Sequence, residues 1–345
     1  VAFGNLKPYT ITVKGEKRTL NVPDGFRIDI VSDEIESPEV LMESGDELYV
    51  TDSENGGVYR FNLDANNELV NVDSGVRKPF GMVKIAEDLY VGDETGVIRY
   101  ERVARDGSYV TKERIIEGLP RGGRFTEKTL AYLNGRIYVA VAASCEICRE
   151  KDDRALVLSY DLSGGNEEVY ARGIQYSQDL VWFEGDLYSL DVGRPNLGVD
   201  IPPGEINILT KGKDYGWPFC YGDGEVDPKF PDEAARCQDK TEFPEYLLPA
   251  HTMPASLTFT RGTEWEQPFG DSILVAMEGS ESKLTPVGYK IVRLRRDDKT
   301  LQNFVTGWLE TDGTHWGSPS SIAIRGRDMF VADSMNGVIY RISIE

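Results

Sequence analysis

Directly after a predicted strand, GDLYSLD (185–191), the chain runs through a loop unusually rich in oxygen ligands and conformational locks. It reads GRPNLGVDIPPGEINILTKGKDYGWP from Gly193 to Pro218. Proline locks φ and glycine accepts angles that other residues cannot, so such a loop holds its carbonyls at fixed angles. Carbonyls and nearby carboxylates are hard oxygen donors of the kind Ca²⁺ takes. The competing reading is a structured connection in which Glu205 and Asn207 tie down their own backbone. Other chemistries lack their residues. The chain has two histidines, His251 and His315, and no Ser-His-Asp set, phosphate-binding glycine loop or HExxH motif. Asp52, Asp93, Asp191 and Asp333 stand at strand ends and read as turn caps rather than paired acids.

The elements that must position these residues form one repeated unit. A polar turn, an alternating strand, a second turn and a second strand recur six times, beginning near residues 45, 86, 134, 184, 270 and 326. Period-2 alternation rich in Tyr, Val and Ile signals strands. A repeat of roughly 40–55 residues signals a propeller. The predicted fold is therefore all-β, a six-bladed β-propeller. It is expected to be one domain over 1–345, with an N-terminal arm (1–22) and a cysteine-bearing insertion (213–250).

An apolar segment precedes each copy and is expected to be the innermost strand of its blade. The starts of these segments, near Pro38, Lys78, Arg124, Gln175–Tyr176, His251 and Ser318, should converge on one channel mouth. PDGFRIDIVS (23–32) reads as an outer strand that closes the ring against the C-terminus, which removes a free edge. The arm alternates like a hairpin and adds to the body or to a neighbouring chain. Trp182 and Trp217 read as packing residues before sugar platforms, and His251 as a hydrogen-bonded structural residue before a base.

Formal net charge is −20 with 28% charged residues, which disfavours nucleic acid and anionic membrane surfaces as partners. No run of about 18 apolar residues predicts a transmembrane helix. The first residues lack the basic and apolar regions of a secretory signal, which is expected to be absent or already removed. Cys145, Cys148, Cys220 and Cys237 allow a four-thiolate zinc site or two local disulfides. The unequal spacing makes two disulfides the simpler reading, and disulfides imply an extracellular or periplasmic location.

GEIN (204–207), YGWP (215–218) and the CYG that follows resemble the signature of the glucose/sorbosone dehydrogenase family. PAHTMPASL (249–257), EGSESKLTPVGYKIVRLR (278–295) and NGVIYRI (336–342) resemble later family segments in the same order, and both cysteine pairs resemble those of the sorbosone-type branch. The resemblance implies a six-bladed propeller that holds Ca²⁺ and pyrroloquinoline quinone (PQQ) and oxidises sugars. It also implies where the site residues stand. Gly193, Arg194 and Pro195 become candidate carbonyl donors to Ca²⁺, with Asp191 and Glu205 beside them. Arg124 falls at or next to the family's catalytic histidine. Gln175 and Tyr176 replace its cofactor-holding Arg-Asn pair. Ser318 replaces a cofactor arginine, Lys283 replaces one cation, and His251 keeps the fifth-blade histidine.

Arginine cannot serve as a base. Each missing charge-assisted bond to a PQQ carboxylate costs roughly 1.5–3 kcal/mol. Two such losses weaken binding by about two to four powers of ten. Two functions follow from this. The first is a propeller that has lost the redox site and binds a sugar or an extracellular protein partner. The second is a PQQ- and Ca²⁺-dependent aldose dehydrogenase with an altered pocket, in which Arg124 and Lys283 anchor the cofactor and His251 or a carboxylate acts as base.

Overall fold

Strand-rich blades account for nearly all of the chain. The computed structural model describes residues 6–64, 67–102, 108–151, 153–280 and 285–345. Two compact units are present, one formed by Val1–Gly75 with Thr252–Glu345 and the other by Val76–His251. Each contains three antiparallel blades, so the fold is the six-bladed β-propeller expected from the repeat. No helix among the described residues is long and apolar enough to cross a membrane.

The first unit holds blades 1, 5 and 6. Blade 1 runs Pro38–Ser44, Glu47–Asp52, Gly57–Asn62, Leu69–Asp73. Blade 5 runs Pro254–Phe259, Ser272–Met277, Lys290–Arg295, Leu301–Val305. Blade 6 takes Pro319–Arg325, Asp328–Asp333 and Val338–Ile344 from the C-terminus and its outer strand, Phe26–Ser32, from the N-terminus. That strand pairs antiparallel with Val338–Ile344, which is the closure expected from residues 23–32.

The N-terminal arm is a hairpin, Lys7–Val13 with Glu16–Val22, turned at Lys14 and Gly15 in left-handed conformation. Its alternation points Ile11, Val13, Leu20 and Val22 into a core with Phe304, Val305 and Trp308. Asn21 and Thr306 exchange two backbone hydrogen bonds of 2.7 and 3.0 Å. The apolar face of the arm is thus used on its own chain.

The second unit holds blades 2, 3 and 4. Blade 2 is Met82–Ile85, Asp88–Asp93, Gly96–Arg102, Tyr109–Ile116. Blade 3 is Leu130–Leu133, Arg136–Val141, Leu156–Asp161, Glu168–Arg172, extended by a parallel pairing with Lys213–Asp214. Blade 4 is Ser177–Phe183, Asp186–Asp191, Gly204–Leu209, Tyr246–Leu248. The insertion before blade 5 closes blade 4 with its last strand and is stapled by Cys220–Cys237. Cys145 and Cys148 form the other disulfide, so both local pairings hold.

The third inner segment differs from the expectation. RFTEKTLAYL is strand only from Leu130, and residues 124–129 are irregular. Gly123, at φ 98°, sends the chain through a turn that a side chain would block, because an added β-carbon would lie 2.7 Å from the Ser144 backbone.

Candidate functional site

The ends of the second strands carry the first layer of the site. Asp191 accepts backbone N–H bonds from Gln175 (2.8 Å), Tyr176 (2.6 Å) and Val192 (3.0 Å), clasping the entry to the inner strand of blade 4. The same device recurs in other blades. Asp52 accepts from Ser37 and Asn55, Asp333 from Ser318 and Asn336, and Asp93 from Thr95 with Arg114 as ion-pair partner. The four aspartates cap turns, as their strand-end positions suggested.

Asp191 does more than cap. The antiparallel register sets it opposite Glu205, and strand alternation puts Glu205 and Asn207 on one face. Glu205 accepts from Gly222 N (2.7 Å) and Asn207 Nδ2 (3.3 Å). The two carboxyls line a cavity with Gly193, Arg194, Trp217 and Asp227. Burial pushes the Asp191 carboxyl up to about 6, against the three N–H bonds that pull it down. Burial, and then the charge of Asp191, push Glu205 up to about 8. Among the described residues neither has an ion-pair partner, because Arg194 turns its Nε to Asp227 Oδ2 at 2.7 Å. The Asn207 Oδ1 atom is buried without a partner. This is a pocket of hard oxygen atoms whose one lining arginine, Arg194, is already paired with Asp227.

The structure brings together most of the sequence-predicted residues of the second unit. Gly193, Arg194 and Glu205 line the cavity, whereas Pro195 does not. Gln175 also lines it and donates its amide to Glu146 O at 3.1 Å. Arg124 is ion-paired with the Glu146 carboxylate and lies over Phe125. Tyr176 is buried, stacked on Phe125 at 4.2 Å, with its hydroxyl donating to Glu127 at 3.3 Å. His251, in left-handed conformation, sets Nε2 2.8 Å from Gly198 O and braces the loop that carries Gly193. Ser318 belongs to the first unit, where its hydroxyl donates to Glu278 O at 3.1 Å. Lys283 lies outside the described residues. Trp217 lines the cavity and gives its Nε1 to Glu146 O, so it both packs and faces the site.

Two contributors to the site, and one buried lysine apart from it, were not anticipated from sequence. Glu146 lies inside the C-x₂-C loop and Asp227 inside the insertion, and no spacing linked either to blade 4. Lys128 is 1% exposed, with Nζ 2.6 Å from Thr126 O, and burial lowers its amine to about 8 from 10.5. Because the folded-state value is the lower one, the unfolded chain binds more protons between these limits and stability rises with pH there. The rise should reach about 2–3 kcal/mol. Lys128→Met should flatten that limb in urea titrations at pH 7.5 to 10. An unchanged slope would show that Lys128 is not the titrating group.

No family model matches the chain. A curated relative, an uncharacterised protein of Borreliella burgdorferi, is 27% identical over 97% of this chain and 94% of its own length. Among solved structures, the holo form of the pyranose dehydrogenase PQQ domain from Coprinopsis cinerea superposes with a TM-score of 0.79 at 16% identity. The match covers 96% of this chain and 100% of that one. A calcium structure of a Trichoderma reesei carbohydrate-active enzyme of family AA12 gives 0.77 at 16% identity, covering 100% and 99%. The soluble aldose sugar dehydrogenase of Escherichia coli, in its apo form, gives 0.67 at 13% identity, covering 93% and 100%. The chain thus shares its six-bladed propeller fold with PQQ-dependent sugar dehydrogenases.

Proposed function

We propose that this protein is an extracellular binding propeller that holds a divalent cation, Ca²⁺ by its donor set, at the Asp191–Glu205 cavity and has given up sugar oxidation. The observation that carries the loss is the mutual engagement of the positions at which base and cofactor would act. Arg124 is neutralised by Glu146, Gln175 is tied to the carbonyl of the same residue, and Tyr176 is stacked on Phe125. Three PQQ carboxylates need cationic partners. Here a neutral amide stands at 175 and a hydroxyl already donated to a carbonyl stands at 318. These residues do not fit the quinone.

They do fit a hard cation. Two adjoining carboxyls, both pushed up by burial, share a cavity wall with Gly193 in a loop held by prolines. Asp191 and Glu205 would hold the ion, and the ion would supply the missing positive charge. Two disulfides support a location in an oxidising compartment.

Calorimetric titration of metal-free protein with Ca²⁺, then with PQQ in excess Ca²⁺, tests the reading. One-to-one Ca²⁺ binding without PQQ heat, and no dye reduction with aldoses, is the expected result. Saturable PQQ binding with aldose-dependent dye reduction would overturn it in favour of an enzyme with a rebuilt pocket.

A further inference from the structure

We propose that the Cys145–Cys148 disulfide is a redox-sensitive latch on the Asp191–Glu205 cavity. The loop it closes spans only three sequence positions, yet it touches the cavity from several directions. The Glu146 carboxylate pairs with Arg124. The Glu146 carbonyl accepts from Gln175 Nε2 and Trp217 Nε1, at 3.1 and 3.4 Å. Ile147 forms part of the cavity wall, and its carbonyl accepts from Lys229 Nζ at 2.9 Å. Arg149 follows directly, paired with Glu233 at 2.9 Å and lying over Phe219 and Phe230. One short loop therefore joins blade 3, the entry to blade 4 and the insertion.

A general staple would be built differently. In the chain-entropy account, a crosslink constrains the unfolded chain less the shorter the loop it closes. A loop this short therefore contributes little to global stability, while the contacts it organises are dense and local. Access separates the two disulfides as well. Cys145 and Cys148 are partly exposed, whereas Cys220 and Cys237 are buried at 8% and 0% exposure. Thiol attack needs access to sulfur, so Cys145–Cys148 is the reducible pair.

The reductant is a dithiol. Its thiolate attacks one sulfur, forming a mixed disulfide and releasing the other cysteine as a thiolate. Its second thiol then resolves the mixed disulfide. Two electrons and two protons pass to the protein, leaving Cys145 and Cys148 as thiols and the reductant as its cyclic disulfide. The opened loop regains backbone freedom. Glu146 is then no longer held where Arg124, Gln175 and Trp217 meet it.

The test uses the full chain, treated with dithiothreitol until alkylation and peptide mapping show that 145 and 148 alone are reduced. Amide hydrogen exchange at Arg124, Ala143, Ser144 and Trp217 should quicken by about tenfold or more, with Val139 in the blade unchanged. Ca²⁺ affinity should fall by about fivefold or more. The Cys145→Ser/Cys148→Ser variant should reproduce both effects. Unchanged exchange in the reduced chain overturns the latch. Exchange quickened throughout the blades overturns it too, since the bond would then be a global staple. Exchange quickened at the loop with Ca²⁺ affinity unaltered overturns the coupling to the cavity. The affinity readout alone rests on the cation reading; if neither redox state binds Ca²⁺, that reading fails and exchange still decides whether the loop is latched.

Discussion

Asp333→Ala is expected to cost roughly 3–5 kcal/mol and to bring the protein near the limit of folding at 37 °C. Asp333 is 0% exposed. Its two oxygens accept from five donors: Ser318 N, Asn336 N, Asn336 Nδ2, Trp308 Nε1 and Tyr340 hydroxyl. Alanine leaves these donors facing a small void, where an unpaired buried donor costs about 1–3 kcal/mol and partial relaxation recovers some of the sum. Trp308 and Tyr340 lie in the same apolar core, so the loss spreads to aromatic packing. Asp312→Ala is the control. Asp312 also accepts from a backbone N–H and a hydroxyl, but in an exposed turn, and its loss should stay within about 0.5 kcal/mol. Equal urea midpoints for the two variants would refute the clasp.

Ca²⁺ should stabilise the wild-type chain by about 2.7 kcal/mol at a hundredfold excess over its dissociation constant, and Glu205→Gln should abolish that gain. The same variant should be neutral or slightly stabilising without metal, because it removes a buried carboxyl whose proton affinity is raised by burial and then by the charge of Asp191. Opposite signs with and without metal would not arise from a simple packing defect. With Glu205 at about 8 and Asp191 at about 6, the metal-free pair still carries a proton at pH 7 that the ion must expel. Affinity should therefore rise with pH up to about 8 and then level off. Calorimetry in two buffers of different ionisation enthalpy would read the released proton directly. A Glu205→Gln variant that keeps the full Ca²⁺-induced shift would remove Glu205 from the site.

The blades were legible because alternation and turn residues are local signals, and each of the six copies contains both. The closing strand at 26–32 was legible for a different reason: a propeller with an unpaired edge is an exposed template, so the leftover N-terminal strand had one sensible destination. The irregular run before Leu130 escaped because Phe125 and two threonines are interspersed with charged residues as in a strand, while the Gly122–Gly123 turn and the burial of Lys128 are settled by neighbours distant in sequence. Asp191 and Glu205 were readable as oxygen donors near a loop. Their face-to-face register required the pairing of two strands, and Arg194's choice of Asp227 required the insertion to fold back. The role of Glu146 was hidden most deeply. Its carbonyl serves two side chains from other segments, and a carbonyl leaves no mark in residue type.

The strand that completes blade 6 has a consequence for biosynthesis. Phe26–Ser32 leaves the ribosome about 300 residues before its partner, Val338–Ile344. At about 5–20 residues per second, the early strand waits roughly 15–60 s for its mate. During that interval its hydrogen-bonding edge, with Ile28 and Phe26 uncovered, is open to pairing with other nascent chains. The Val76–His251 unit is contiguous and can complete its blades while translation continues. The discontinuous unit cannot, so its yield depends on whatever shields one seven-residue strand until Val338–Ile344 emerges.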